Sequence, residues 1–232
     1  MGTNETTLSI AMVYNHVLND RNYAEYAKRF VQSYNKFSPG ADHMTFIVEN
    51  RGRIAEAERH LFEGLPNLQF FQHDNSGYDI GAFQHAARDI KCDLMVFFGS
   101  STYLNGDGWL GRMKDSFLKH GNAQYGTMGN RGNLNVKVWP HIRTTAFWMS
   151  PDLMNSYPKI VTKNEERHPF EHGQGCLTDW VAKCGLKSWV VNWNTELLRE
   201  QWDSDPNGYN RGNQKSLLAG DHMCEPPYYK KL

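Results

Sequence analysis

The chain alternates short apolar runs with amphipathic stretches. Ser9–Tyr14 is an apolar run suited to a buried strand, and a polar turn follows from Asn15 to Asp20. Tyr23, Ala27, Phe30, Val31 and Tyr34 then recur at helical spacing until Ser38-Pro39-Gly40 ends the helix. Met44–Val48 predicts a second buried strand, Ile54–Leu61 a helix closed by Gly64 and Pro66, and Leu68–Phe71 a third strand. Asp74–Gly81 reads as a loop, Ala82–Ile90 as a helix and Leu94–Phe98 as a fourth strand, ending in the polar turn Gly99–Thr102. Strands alternating with helices predict a parallel sheet covered on both faces, with right-handed crossovers.

The rhythm then changes. Trp109–Leu118 reads as helix, and the segment from Gly121 to Asn135 is rich in glycine and asparagine. Val136–Trp139 and Thr144–Met149 are strand candidates, Thr178–Cys184 lies in a helix that Gly185 closes, and Ser188–Asn192 is a late strand. From Asp203 the chain is polar and turn-rich. It holds no internal repeat or linker, so a single α/β domain over residues 1–232 is expected, long enough to bury a core without staples.

Composition narrows the classes. Lys+Arg and Asp+Glu are both 25, so no basic excess marks a general nucleic-acid binder. The longest apolar run, Leu94–Phe98, is far too short to span a membrane, and Gly2–Thr7 is polar where a secretory signal would be apolar. A soluble, cytoplasmic protein is the expectation. Cys92, Cys176, Cys184 and Cys224 form no CxxC pair, which predicts buried or half-buried free thiols rather than a zinc knuckle. Aromatic residues make up 13% of the chain, with seven tryptophans; stacking surfaces for sugars or bases and a large aromatic core both account for that.

In open parallel sheets ligands bind beyond the carboxyl ends of the strands. That rule selects Tyr14–His16, Glu49–Arg51, Asp74–Gly81 and Gly99–Tyr103. No GxGxxG follows the first strand and no GxxxxGK[ST] occurs, so neither a dinucleotide fingerprint nor a P-loop is present. The most informative stretch is Asn75-Ser76-Gly77-Tyr78-Asp79-Ile80-Gly81-Ala82-Phe83, where two glycines bracket an acid just before a helix. Glycines there permit close backbone approach to a ligand. Asp79 has two readings: a ligand for a ribose hydroxyl or base N–H, or the cap of a helix beginning near Ile80.

This nonapeptide resembles the Asn-x-Gly-x-Asp-Ile-Gly-x-Phe pattern of rhamnan-synthesis-type transferases, and Gly108-Trp109-Leu110 resembles an element that follows the fourth strand in GT-A glycosyltransferases. A weaker resemblance is to chlorella-virus glycosyltransferase domains; for a viral chain the cytoplasm would be the host's. The resemblance covers roughly residues 8–110 in good element order and 140–195 more loosely. It implies a GT-A-like, Rossmann-type, mostly parallel sheet flanked by helices, with a nucleotide-binding half over about 8–110 and an acceptor and sugar half over about 111–232. It also implies transfer of a hexose or deoxyhexose from a nucleotide diphosphate sugar, UDP-linked in the first instance, to a hydroxyl of a glycan or glycoprotein. A non-catalytic sugar or nucleotide-sugar binding domain is the alternative. A nucleotidyltransferase ranks lower, because Tyr14–Asn19 holds no glycine, lysine or arginine.

By the same resemblance Tyr14, Asn15, Asn75, Gly77 and Asp79 would contact the nucleoside, with Ser100 and Ser101 beside the diphosphate. Where the family carries Asp-x-Asp for Mn²⁺ or Mg²⁺, this chain reads Gly99-Ser100-Ser101, and neutral serines are poor ligands for hard cations. Three explanations stand: a metal held by Asp79, Asp107 or His222; a diphosphate neutralised by Arg131, Arg143 or Arg211; or lost catalysis. Ser100 and Ser101 are otherwise an ordinary turn, and His222 a surface residue. Arg143–Met149 resembles the strand lining the donor pocket, or is a plain core strand. Glu171 is the first candidate for the base that deprotonates an acceptor hydroxyl, and Asp179 the second. The competing readings are an N-terminal helix charge for Glu171 and a solvated mid-helix position for Asp179. Trp193 and Trp202 are either an acceptor-stacking platform or core.

Overall fold

The computed structural model describes residues 8–18, 21–130, 139–204 and 216–224. The first half follows the alternation read from the pattern: β1 (Ile10–Val17), α1 (Arg21–Lys36), β2 (Met44–Asn50), α2 (Glu56–Arg59), β3 (Leu68–His73), α3 (Tyr78–Asp89) and β4 (Leu94–Phe98). Then come β5 (Tyr103–Leu104), α4 (Trp109–His120), β6 (Gln124–Gly126), β7 (Gly129–Asn130), β8 (His141–Ile142), β9 (Ala146–Met149) and α5 (Pro151–Asn155). The chain continues through α6 (Arg167–Glu171), α7 (Leu177–Lys183), β10 (Ser188–Val191), β11 (Glu196–Leu198) and β12 (Ala219–Gly220).

Eight strands form one sheet in the order β11-β10-β6-β9-β4-β1-β2-β3. β3, β2, β1 and β4 run parallel, β9 is inserted antiparallel between β4 and β6, and β10 is parallel to β6. The sheet is therefore mixed but mostly parallel, as expected. All eight residues of β1 are buried, because it lies in mid-sheet with helices on both faces. One core holds Tyr14, Phe30, Phe98, Trp109 and Trp148; the other holds Val13, Phe83, Phe97 and Phe147. Stacked Phe97 and Phe147, with ring centroids 4.7 Å apart, tie β4 to β9. The plain-core reading of Phe147 and Trp148 is the correct one, since both are fully buried.

Three boundaries differ from the pattern. α3 begins at Tyr78 rather than Ala82, because Asn75, Gly77 and Tyr78 all adopt positive φ and wind the chain into the helix early. The strand expected over Thr144–Met149 starts only at Ala146, with Thr144–Thr145 as turn. Of the strand candidate Val136–Trp139, residues 136–138 lie outside the described ones and Trp139 is in no strand. All four cysteines are free, but Cys184 is exposed rather than buried. No helix among the described residues is long and apolar enough to cross a membrane.

Candidate active site

The carboxyl ends of β1, β2 and β4 carry a row of buried polar side chains. The Asn15 amide donates to Ser100 Oγ at 3.1 Å and accepts from Asn50 Nδ2 at 3.0 Å. Tyr14, stacked on Phe30 in the core, donates its hydroxyl to the Ser100 carbonyl at 2.6 Å. Burial raises the Tyr14 phenol far above its ordinary value, so it stays a donor. These contacts correct the expected nucleoside role of Tyr14 and Asn15. Both are buried, and they brace the Gly99–Ser101 turn from beneath.

That turn is held on its other flank by the loop before β9. Gly99 N–H and Thr102 Oγ1 both donate to the Thr145 carbonyl, at 2.7 and 2.8 Å. A late segment closes over it. β12 pairs with β5, and Asp221, 1% exposed, accepts from Arg143 at 2.6 Å and from Thr145 Oγ1 at 2.8 Å. Burial raises the Asp221 carboxyl, but the Arg143 cation and its hydrogen bonds win and hold it below the usual range. Arg143, expected at the diphosphate, is thus engaged by Asp221. The neighbouring His222 reaches Ser101 Oγ with Nδ1 at 2.8 Å and stacks on Tyr26. Arg29 of α1 donates to the Ser101 carbonyl at 2.9 Å and lies over the Tyr103 ring. Sequence reasoning missed Arg29 and Asp221; the only signal for Asp221 was its position next to His222.

A second group stands at the start of α3. Asp79 is not the cap. It occupies the first turn, accepts the Ile80 N–H at 3.1 Å and pairs with Arg167 at 2.9 Å, while Gly77 takes the cap position. Arg167 also lies over the Tyr78 ring. Burial pushes the Asp79 carboxyl up to about 6; Arg167 opposes the rise and the nearby Glu171 charge adds to it. Glu171 ends α6 rather than starting α7, which corrects the reading of it as a helix N-terminal charge, and its carboxylate accepts the Thr144 hydroxyl. Thr144 adjoins Thr145, so Glu171 is linked through these two residues to the Gly99–Thr102 turn.

Other expected residues are elsewhere. Asp107 accepts the Ser38 N–H at 2.8 Å, tying the loop after α1 to the start of α4. Asp179 pairs with Arg199 at 2.7 Å and accepts the Gly175 N–H, so it is neither solvated nor beside the turn. Trp202 is buried and Trp193 is half-buried, with their indole N–H groups on the Leu197 and Leu217 carbonyls; neither offers a stacking face as expected. Arg131 and Arg211 lie outside the described residues.

The glycines of the nonapeptide serve the chain itself. A Cβ at Gly77, whose φ is +69°, would lie 2.0 Å from the Val161 carbonyl oxygen. A Cβ at Gly81 would lie 1.9 Å from the Ser76 carbonyl oxygen. The close approach expected of a ligand is made by the segment at Val161, which Gln84 grips by donating to the Lys159 carbonyl and accepting the Val161 N–H, both at 2.8 Å. Gly77→Ala is therefore expected to destabilise the fold by ~3 kcal/mol or more, from overpacking plus a left-handed backbone. Chemical denaturation is the check, and a loss below about 1 kcal/mol would contradict this role.

The metal reading meets the donors directly. At the turn the described donors are serine hydroxyls and the His222 imidazole; Asp221 is engaged by Arg143, Asp79 by Arg167 and Asp107 by Ser38. Among the described residues no group of three or more His, Cys, Asp or Glu is arranged to hold a metal ion. This donor set does not fit Mn²⁺ or Mg²⁺, which want several carboxylate or carbonyl oxygens.

Neither a protein-family model nor a curated protein matches the chain. Solved structures match its fold. A Bacillus anthracis structure described as a glucose-1-phosphate thymidylyltransferase, in complex with sucrose, covers 96% of this chain and 93% of its own at 10% identity, with a TM-score of 0.54. The galactosyltransferase LgtC with donor and acceptor sugar analogues covers 75% of this chain and 70% of its own at 13% identity, with a TM-score of 0.50. S. aureus TarS matches 68% of this chain at 13% identity and a TM-score of 0.44, and the match spans 31% of the TarS chain. The shared element is the GT-A-like, Rossmann-type sheet.

Proposed function

We propose that this chain is a glycosyltransferase that moves a hexose or deoxyhexose from a nucleotide diphosphate sugar, UDP-linked, to a hydroxyl of a glycan or glycoprotein. One observation carries the reading: at the carboxyl ends of the parallel strands, the Gly99–Ser101 turn is bonded to the Asp221–His222 segment and, through Thr145 and Thr144, linked to Glu171, whose charge acts on Asp79. The GT-A-like fold shared with LgtC supports it. Arg29 and His222 bring positive and donor character to the turn where the leaving diphosphate would lie. Asp79 is the proton acceptor in this scheme, rather than Glu171 or Asp179. The acceptor oxygen attacks the anomeric carbon, the bond from that carbon to the diphosphate oxygen breaks, and the acceptor's proton passes to Asp79. Burial, with the Glu171 charge adding to it, keeps Asp79 basic, and Arg167 fixes its direction. No step is routed through a cation.

Calorimetric titration with UDP, GDP, dTDP and their sugars, with and without Mn²⁺, tests the reading when paired with an assay for nucleotide release. Metal-independent binding of one nucleotide and release of it from its sugar are expected. The carboxylate-free turn favours a second reading, a nucleotide-sugar binding domain without turnover, which binding without release would establish. Formation of pyrophosphate from a nucleoside triphosphate and a sugar phosphate would assign nucleotidyl transfer instead.

A further inference from the structure

The turn that carries Asp79 has a second face. A cleft of about 490 Å³ opens between the end of β3, α3 and residues 160–162. Its size falls within the ~300–1,000 Å³ of small-molecule sites. Ser76 and Gly81, on either side of Asp79 in the chain, both line it.

Its walls are fixed. His73 Nε2 lies 2.9 Å from the Ser76 carbonyl, which only accepts, so that nitrogen carries the proton. His73 Nδ1 therefore accepts from His85 Nδ1 at 3.2 Å, which locks both rings. Burial holds His73 below the usual imidazole value, so it is neutral near pH 7. Hydrogen bonds from Ser76 hold the Asp74 carboxyl below its usual range, so Asp74 is charged. Arg88, with no ion-pair partner among the described residues, supplies the positive charge, and Asp74 offsets it. Asp89 stands 3.5 Å from His85 Nε2. A phosphate dianion would find no net positive field here.

What the cleft does present is planar hydrogen-bonding groups on its lining residues, the Gln72 amide, the Arg88 guanidinium and the Asp74 carboxylate, beside the exposed Ile160. Such a surface suits a ring with many hydroxyls and an apolar C–H face. We propose that this cleft binds carbohydrate, one or two sugar residues long, and seats a non-reacting part of the acceptor glycan. The assignment rests on the transferase reading. A glycan lying here touches the turn that carries the proton acceptor, and so couples acceptor binding to the placement of Asp79.

Ligand-observed NMR on the full chain tests it, with maltose, cellobiose, lactose and digalacturonate at millimolar concentration and UDP titrated separately. Saturation transfer to at least one of the disaccharides is expected. The Gln72→Ala/Arg88→Ala variant should bind that disaccharide about tenfold more weakly and UDP as before. Both side chains are exposed, so the variant keeps the fold. UDP binding with no disaccharide binding, or equal disaccharide binding by the variant, would overturn the cleft assignment and leave the transferase reading standing. Absence of both kinds of binding would overturn the two together.

Discussion

Asp79→Asn is expected to lower turnover by about 10²–10⁴-fold while leaving nucleotide affinity within a few-fold, because the amide keeps the shape but cannot take a proton. Glu171→Gln should cost less, since Glu171 acts through its charge on Asp79. The pH dependence gives an independent reading. Activity should rise as pH rises through about 6, where Asp79 loses its proton. Stability should move the other way. Burial raises the native value above the ordinary carboxylate value, so the native state holds the proton more tightly than the unfolded chain. The contribution is fully present below the unfolded value and is lost as pH rises from about 4 to about 6. A rate profile that turns at about 6, together with a melting temperature that falls across the same window, checks both signs. A wild-type rate in Asp79→Asn would remove Asp79 from the chemistry.

Asp221→Ala is expected to destabilise the protein by ~3–5 kcal/mol, because it leaves the Arg143 guanidinium, 16% exposed, without its partner. The same change frees Thr145 Oγ1 and the Met223 N–H, so the segment bearing His222 loses its anchors. The pair Arg143→Met with Asp221→Leu should recover much of the stability, since apolar replacement of a buried pair removes the desolvation cost along with the attraction. It should not recover activity if His222 needs the anchored segment. Denaturant melts of the two variants separate these outcomes. Equal losses in both would mean that the segment's hydrogen bonds, and not the unpaired charge, set the cost.

The parallel half was legible because β1, β2 and β4 are buried along almost their whole length and so read as apolar runs, while β3, at the sheet's edge, is only half-buried. Leu94–Phe98 is the clearest case: its boundaries in the pattern and in β4 coincide. Short strands left no such trace. β5, β7, β8 and β12 are two residues each, too short for any period to register. The site was legible by position and less so by role. The rule that ligands gather at strand ends singled out the turns from which the candidate site is built, but residue type alone does not say whether a side chain faces a ligand or its own chain. Tyr14, Asn15 and Gly77 have polar or permissive chemistry that the fold uses on itself. The raised carboxyl of Asp79 comes first from its burial and then from the Glu171 charge, and its ion pair from Arg167, about 90 residues away in sequence, none of which residue type reveals. Arg29 gave no signal, since an arginine in an amphipathic helix is ordinary until Ser101 is set against it.

The late segment at Asp221 and His222 has a bearing on how the protein comes off the ribosome. The contact from His222 to Ser101 spans 121 positions, and those from Asp221 to Thr145 and Arg143 span 76 and 78. The parallel strands from Ile10 to Phe98 are made long before that segment emerges. A nascent chain can thus commit these strands early, while the turn at Ser101 stays open on one side until residues 221 and 222 have emerged. Closure of that turn thus follows the strands that carry it rather than templating them.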